Sequence, residues 1–470
     1  MAATALREHL GKDLQATELL EVTLRRADSV SETLNPFVHR LDERAMEAAK
    51  ESDLRIRTGD ARSLEGLPMT VKDTLWVQGV ESADGSRARS GFVPPATDVA
   101  VRRAEQAGAV IFAKTTNPEL CYFGYSRSDL NGETANPWDL QRTAGGSSAG
   151  AAAALAAGVG PLALGTDGGG SLRIPAAFCG AATHKPTNGA VPYWPDLSAW
   201  PTLSVIGPMA RSVTDLLMLF NVIAGHEEAD LFSAPETSPK SVRDGLADAV
   251  LAFDVDRGGS IPIEPYVREL FGTVIEELRT GGATMVAEAP DRPESGVATW
   301  LTVATAEARA AHKREFEEHS QLLGEDARTF LAMGDEVTGQ GLARAQRARS
   351  EIHVAYARFF EETGADVLLT PALGLAAFAS DTLCPAYVDG VPIERPYDDW
   401  QGHLWDANLA GLPAAVVPIG LAGPNLPIGM QIVGRRFDDA TVLARALAIE
   451  DLLGLEMRPP SLTSQAAPRA

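Results

Sequence analysis

Apolar positions along this chain recur at two spacings, one typical of helices and one typical of buried strands. Apolar residues stand at helical spacing from Ala16 to Leu34, and the pattern ends before Asn35-Pro36, which predicts a helix. Short apolar runs predict buried strands at 67–71, 109–113 and 161–164. The almost pure alanine run at 150–158 predicts a helix with close neighbours. Helices and strands therefore alternate along the chain.

This alternation predicts an α/β fold with a large mixed β-sheet core flanked by helices on both faces. No clear linker, repeat or low-complexity tract divides the sequence, so we expect a single domain over residues 1–470. Residues 61–235 are expected to form the core that carries the catalytic residues. The mostly helical, more charged region 236–365 is expected to be a substrate-side insertion, and residues 366–456 to return to the core.

Composition narrows the class of protein. The chain has 470 residues, of which 45% are hydrophobic, so it can bury a large core. It lacks an apolar run of the roughly 18 residues that span a bilayer, and its N-terminus lacks the apolar region of a signal peptide. Three scattered cysteines predict neither a disulfide framework nor a zinc site, which fits a reducing, cytoplasmic setting. The net charge of −22 argues against a nucleic-acid partner and favours solubility.

The stretch GTDGGGSLRIP, residues 165–175, concentrates the unusual chemistry. A phosphate-binding loop would need a lysine or a ribose-binding acid at fixed spacing, and neither pattern is present. The nearby run GSSAG, residues 146–150, matches G-x-S-x-G, but it follows loop residues and not the strand that a nucleophile elbow needs. A third interpretation places both glycine loops at one end of the sheet. Ser147 and Ser171 would then face each other.

In this third interpretation the glycines serve as hydrogen-bond donors. A serine nucleophile needs backbone N–H groups that hold the developing oxyanion. The backbone N–H groups of Gly168, Gly169, Gly170 and Ser171 can point inward because the glycines place no side chain in the way. Ser171 lies at the edge of this predicted oxyanion hole.

A neutral lysine can accept the proton of such a serine, and Lys72, which follows the apolar run LPMTV, could project from a buried strand end. Free lysine has a pKa of about 10.4, so only about one lysine in 2,500 is neutral at pH 7. Making half of it neutral at pH 8 requires about 3.3 kcal/mol, which burial can supply. Without the two serine loops, this lysine would be interpreted as an ordinary surface residue.

Taken together, these motifs resemble the amidase signature family. The resemblance rests on GGSSAG…GTDGGGSLRIPAAFCG and LEGLPMTVKD, and on KTTNPEL, ANPWD, GPMARSVTD, LLTPALG, NLAGLPAAVVPIG and PIGMQIVGRRFDD in the same order. It extends from about Thr17 to Ile449 and implies the amidase-signature fold.

The resemblance also implies a Ser–cis-Ser–Lys triad. Ser171 would be the acyl-forming nucleophile, Ser147 would follow a cis peptide bond and relay the proton, and Lys72 would be the terminal base. Ser148 would support the site by hydrogen bonding near Lys72, and Asp167 would pair with Arg173 to brace the loop. No metal or organic cofactor is expected.

Two kinds of amidase remain open. The first is an enzyme that hydrolyses small apolar or aryl amides, including anilides and hydrazides, as a monomer or homodimer with no nucleic-acid or membrane partner. Its acyl pocket is expected to include Cys121, Tyr122, Phe123 and Tyr125. The alternative is a glutamyl-tRNA amidotransferase A-type glutaminase that works in a complex. We expect the first, because glutamine would require a charged clamp.

Overall fold

One mixed sheet of eleven strands organises the computed structural model, which describes residues 2–235, 245–292, 296–395, 397 and 399–460. In chain order its strands are β1 Phe37–Arg40, β2 Pro68–Lys72, β3 Val110–Thr115, β4 Leu162–Asp167, β5 Ala182–Lys185, β6 Val205–Ala210, β7 Val250–Phe253, β8 Thr284–Val286, β9 Val367–Pro371, β10 Ala414–Ala422 and β11 Leu426–Gly434. They lie side by side in the order β1-β3-β2-β4-β6-β5-β10-β11-β9-β7-β8.

The described helices are α1 Ala3–His9, α2 Ala16–Leu34, α3 Asp42–Thr58, α4 Val99–Gln106, α5 Ala149–Ala156, α6 Arg173–Cys179, α7 Val213–Ile223, α8 Pro265–Thr280, α9 Gly296–Ala311, α10 Lys313–Glu318, α11 Glu325–Asp335, α12 Gly339–Thr363, α13 Trp405–Leu409 and α14 Asp439–Leu453. Small two-stranded ribbons pair 127–128 with 132–133, 135–136 with 139–143, and 387–388 with 391–392. None of the described helices is both long enough and apolar enough to cross a membrane.

These elements confirm the predicted fold class, a large mixed sheet flanked by helices. The helix expected at Ala16–Leu34 has those bounds, and the three predicted strands correspond to β2, β3 and β4. The region 236–365 is mostly helical where it is described, but it also contributes β7 and β8 to one edge of the sheet. Residues 236–244 and 293–295 of that region lie outside the described residues. The expected division of the chain stays a prediction.

Strand direction determines where the polar side chains meet. Strand β2 lies between β3 and β4 and runs parallel to both. Because parallel strands end at the same edge of a sheet, the last residues of β2 and β4 are neighbours. Val71 is paired with Leu164, so Lys72 lies beside the end of β4. The candidate functional residues therefore lie at this edge of the sheet.

Helix α5 packs too closely to its neighbours to accept larger residues. Its residues Ala149 to Leu155 are all buried. A Cβ atom on Gly150 would lie 2.2 Å from the carbonyl oxygen of Pro36 and 2.6 Å from the amide nitrogen of Thr116. Alanine and glycine therefore bring the start of α5 against the sheet edge, and with it the two serines that precede the helix.

We predict that Gly150→Ala lowers the free energy of unfolding by about 1–3 kcal/mol, because the new methyl group forces the backbone apart. The matched control is Gly272→Ala on the exposed face of α8, where no atom lies within 4 Å of the added Cβ. The control should stabilise its helix by up to about 1 kcal/mol. Urea denaturation of both variants checks this, and equal effects would contradict the close packing of α5.

Candidate active site

Lys72 ends the fully buried strand β2 and has no exposed surface. Its Nζ donates hydrogen bonds to Ser147 Oγ at 2.6 Å and to Thr166 Oγ1 at 2.8 Å. Burial lowers the pKa of Lys72 below its ordinary value, while the charges of Asp84 and Asp167 oppose that shift. The amine therefore becomes neutral more readily than a solvated lysine does.

The two expected serines, Ser147 and Ser148, directly precede α5 and are both fully buried. The peptide bond between Gly146 and Ser147 is cis. Ser147 contacts Lys72. The Oγ of Ser148 instead donates to the carbonyl oxygen of Thr166 at 3.3 Å and accepts from its amide nitrogen at 3.4 Å. Ser148 thus acts on the lysine through Thr166, a residue that the sequence analysis did not single out.

Ser171 lies in the loop between β4 and α6, and 8% of its surface is exposed. It lines the same cavity as Ser147. Its carbonyl oxygen accepts a hydrogen bond from the amide of Ser148 at 3.0 Å, which ties the two serine loops together. Within the described residues no hydrogen bond joins the hydroxyls of Ser147 and Ser171. The hydroxyl of Ser171 is therefore available to a ligand.

The glycine loop differs in one respect from the predicted oxyanion hole. The N–H of Gly170 donates to Asp167 Oδ1 at 2.7 Å, so it is already engaged. Gly168 lines the cavity, and its carbonyl accepts the indole N–H of Trp300 at 2.7 Å. No described residue accepts the amide hydrogens of Gly169 and Ser171. These two amides, unlike that of Gly170, are therefore open to a ligand oxygen.

Asp167 and Arg173 form the ion pair that the sequence predicts, with two contacts of 2.9 Å and no exposed surface on either residue. The guanidinium lowers the pKa of the Asp167 carboxyl against the opposing effect of burial. Asn408 donates to Asp167 at 3.0 Å, and Gln431 accepts from Arg173 at 2.6 Å. Asn408 lies in the quoted NLAGLP motif, but neither residue was assigned a role from the sequence.

The cavity beside Ser171 has a strongly polar lining. Its lining residues are Thr74, Asp84, Arg89, Leu120, Cys121, Ser147, Thr166, Gly168, Ser171, Tyr193, Asp196, Ser198, Ala199, Trp200, Ser204 and His312. Burial lowers the pKa of His312 to about 3, so this imidazole is neutral. The charged groups of the lining are therefore one guanidinium and two carboxyls. Within the described residues, no cluster of histidine, cysteine, aspartate and glutamate is arranged to hold a metal ion.

Only Cys121 of the four expected pocket residues lines this cavity. Its Sγ donates to Asp84 Oδ1 at 3.2 Å, and burial raises the pKa of the thiol. Tyr122, Phe123 and Tyr125 instead pack in an aromatic cluster behind the cavity. The aromatic residues of this motif thus build the core, because the chain turns between Cys121 and Tyr122.

That turn is strained. Asp84, Leu120 and Cys121 all have positive φ, at 53°, 53° and 61°. Non-glycine residues adopt this conformation rarely, and such residues cluster at functional sites. All three line the cavity. The sequence carries a signal for this conformation only at Asp84, where aspartate precedes Gly85, because leucine and cysteine are not favoured at positive φ.

Comparison with known proteins identifies the family. The amidase family model matches residues 18–443. The chain is 35% identical to the A-type subunit of the glutamyl-tRNA(Gln) amidotransferase of Chloroflexus aggregans, with 96% of each sequence covered. It resembles the crystal structure of a bacterial aryl acylamidase of the amidase signature family, with a TM-score of 0.89, 26% identity and 96% of each chain covered.

It also resembles the crystal structure of the A-type subunit of the glutamyl-tRNA(Gln) amidotransferase from Thermotoga maritima, with a TM-score of 0.77, 26% identity, and coverage of 94% of this chain and 95% of that one. The two kinds of amidase left open by the sequence are therefore both represented among its relatives. The family match covers nearly the whole chain, and the relatives share its full length. The chain belongs to the amidase signature family of enzymes that act on C–N bonds.

Proposed function

We propose that this chain hydrolyses the carboxamide of a small zwitterionic substrate of the glutamine type, by acyl transfer to Ser171. The observation that carries the hydrolytic part is the 2.6 Å contact between the fully buried amine of Lys72 and the hydroxyl of Ser147, in the cavity that Ser171 also lines. A buried lysine that becomes neutral readily is suited to act as a general base.

In the proposed mechanism, neutral Lys72 takes the proton of Ser147, and Ser147 takes the proton of Ser171. The Oγ of Ser171 bonds to the amide carbon, and the amides of Gly169 and Ser171 stabilise the oxyanion. The C–N bond then breaks as Ser147 gives a proton to the leaving nitrogen, and Lys72 returns its proton to Ser147. Water attacks the acyl-enzyme in the second half, which releases the carboxylic acid and restores the Ser171 hydroxyl. The hydroxyls of Ser147 and Ser171 must approach each other when substrate binds, as catalytic contacts often do.

Two findings support a glutamine-type substrate over the apolar or aryl amide that the sequence analysis favours. Curated relatives that match at 31–35% identity over nearly full length include the A-type proteins of glutamyl-tRNA(Gln) amidotransferases. The cavity also contains the kind of charged groups that a free amino acid requires, namely Arg89, Asp84 and Asp196. Of the aromatic side chains on which the apolar expectation rested, Tyr122, Phe123 and Tyr125 do not line the cavity, whereas Trp200 does. A protein of this type would work in a complex, where another member of the complex would contact the tRNA.

A second candidate is an amidase that acts alone on aryl amides. It is favoured by the higher TM-score to the bacterial aryl acylamidase, 0.89 against 0.77. A wider groove also adjoins the cavity, because Tyr193, Ser198 and Ser204 line both. Such a groove gives room for a bulky leaving amine, which ammonia does not need.

The two candidates predict opposite substrate preferences. We expect the purified chain to release ammonia from glutamine with a higher kcat/KM than it releases 4-nitroaniline from 4-nitroacetanilide, and partner subunits to increase the glutamine rate. Ammonia and nitroaniline assays on the same preparation check this. Faster hydrolysis of the anilide would establish the second candidate instead.

We predict that Ser171→Ala abolishes acyl-enzyme formation and lowers kcat by about 10³-fold or more, because the attacking oxygen is lost. Mass spectrometry of the intact protein after mixing with substrate detects the acyl adduct. Ser148→Ala is the matched variant: it should still form the adduct, though more slowly, since Ser148 reaches Lys72 only through Thr166. An adduct on Ser171→Ala would exclude Ser171 as the nucleophile.

The activity should rise with pH, because the unprotonated amine of Lys72 is the active form. Burial lowers the pKa of this group, so the rise in kcat/KM should be complete below the pH at which free lysine loses its proton. Lys72→Arg should be inactive at every pH, since an arginine side chain stays protonated. A pH profile of both proteins tests this, and a rate that falls with pH over the same range would contradict the assignment of Lys72 as base.

A further inference from the structure

We propose that Arg89 and Asp196 determine substrate specificity by binding an α-amino acid whose side-chain amide reaches Ser171. Arg89 binds the carboxylate of that amino acid, and Asp196 binds its ammonium group. The inference rests on the proposed function and adds the residues that would recognise its substrate. Both residues line the cavity that also contains Ser171.

Arg89 is held in place but keeps its hydrogen-bonding capacity. It ends a short 3₁₀ turn, Arg87–Arg89, and its Cζ lies 5.0 Å from the centre of the Phe92 ring. Its contact with Glu315 is 3.6 Å long, which is an ion pair without hydrogen-bond geometry. Among the described residues no acceptor is bonded to this guanidinium, and its Nε is buried. A ligand carboxylate would supply the missing acceptors, because the planar guanidinium matches its two oxygens.

A second donor in the lining points to the same ligand chemistry. Trp200 is 5% exposed, and its indole N–H is buried without an acceptor in the described part of the chain. Buried donors of this kind are rare in folded proteins and are usually satisfied by a ligand or by water. Two unsatisfied donors, from Arg89 and Trp200, thus belong to the lining of one cavity. This combination favours a ligand that accepts hydrogen bonds.

The carboxyls around Arg89 disfavour a ligand that is only anionic, even though burial raises the pKa of Asp84 and raises that of Asp196 to about 6. Asp84 and Asp196 line the cavity, and Glu315 lies beside the guanidinium. His312 adds no compensating charge, because its Nδ1 is 2.5 Å from the hydroxyl of Tyr122 and its imidazole is neutral. A simple carboxylate would therefore meet more negative than positive charge. A zwitterion presents its carboxylate to Arg89 and an ammonium to the aspartates, so it satisfies both.

The test uses four amides with the same chain length between the amide and the charged groups. Glutamine carries both charges, 4-carbamoylbutanoate carries only the carboxylate, 4-aminobutanamide carries only the ammonium, and butanamide is neutral. We expect kcat/KM to be highest for glutamine. Arg89→Met should reduce the ratio of kcat/KM for glutamine to that for butanamide by about 100-fold, mainly through KM. The same ratio for Arg89→Lys should lie between those of the wild type and Arg89→Met.

Asp196→Asn should selectively lower kcat/KM for glutamine and for 4-aminobutanamide, the two amides that carry an ammonium group. Arg87→Met is the matched control, because Arg87 belongs to the same turn but is exposed and donates to the carbonyl of Asp129 at 2.9 Å. It should leave all four rates unchanged. Equal losses on all four amides in Arg89→Met, or a wild-type preference for butanamide over glutamine, would overturn the proposal.

Binding separates this inference from the proposed hydrolysis. Calorimetric titration of glutamine into Ser171→Ala and into Ser171→Ala/Arg89→Met needs no turnover. We expect binding only to the first protein. If glutamine binds only to Ser171→Ala but the wild type does not hydrolyse it, the proposed reaction is overturned, while Arg89 is retained as the residue that binds the carboxylate. Equal affinity of both proteins for glutamine would show that Arg89 does not bind the substrate, even if amides are hydrolysed at Ser171.

Discussion

The site depends on one buried ion pair, between Asp167 and Arg173. Burying two charges is costly unless they are paired and their remaining hydrogen bonds are made. Here the carboxylate of Asp167 also accepts the amides of Gly170 and Leu172, the residues on either side of Ser171. Arg173 reaches the carbonyl of Leu404 in the C-terminal part of the chain. The pair therefore fixes the path of the glycine loop and locks it to sequence more than 200 residues away.

Around this constraint, the chain separates the proposed reacting groups from the groups proposed to recognise a substrate. The proposed reacting groups belong to a strand end, a helix start and the glycine loop. The charged lining comes from loops at Asp84, Arg89 and Asp196, and the neutral His312 adds a lining residue from the helical region. This separation explains why relatives with different substrates in their names share the fold at TM-scores of 0.77 to 0.89.

The sequence predicts the parts of the site that are local. Lys72, Ser147 and Ser171 stand in motifs with characteristic spacing, and the α/β fold follows from the alternation of apolar patterns. Thr166 was missed because its role depends on the register between β2 and β4. The motif alone does not tell which of its residues line the cavity, because the change from cavity at Cys121 to core at Tyr122 depends on tertiary packing. Arg89 and Asp196 gave no signal, since isolated charges in loops are ordinarily solvated.

His312, between α9 and α10, lines the cavity, and Glu315 in α10 lies beside Arg89. Both belong to a stretch of helices that contributes nothing to the sheet edge bearing Lys72, Thr166 and Asp167. Substitutions there change which molecule fits without moving the reacting atoms. Hydrolases that descend from one ancestor can therefore differ in substrate while they keep the same residues for cleaving the C–N bond.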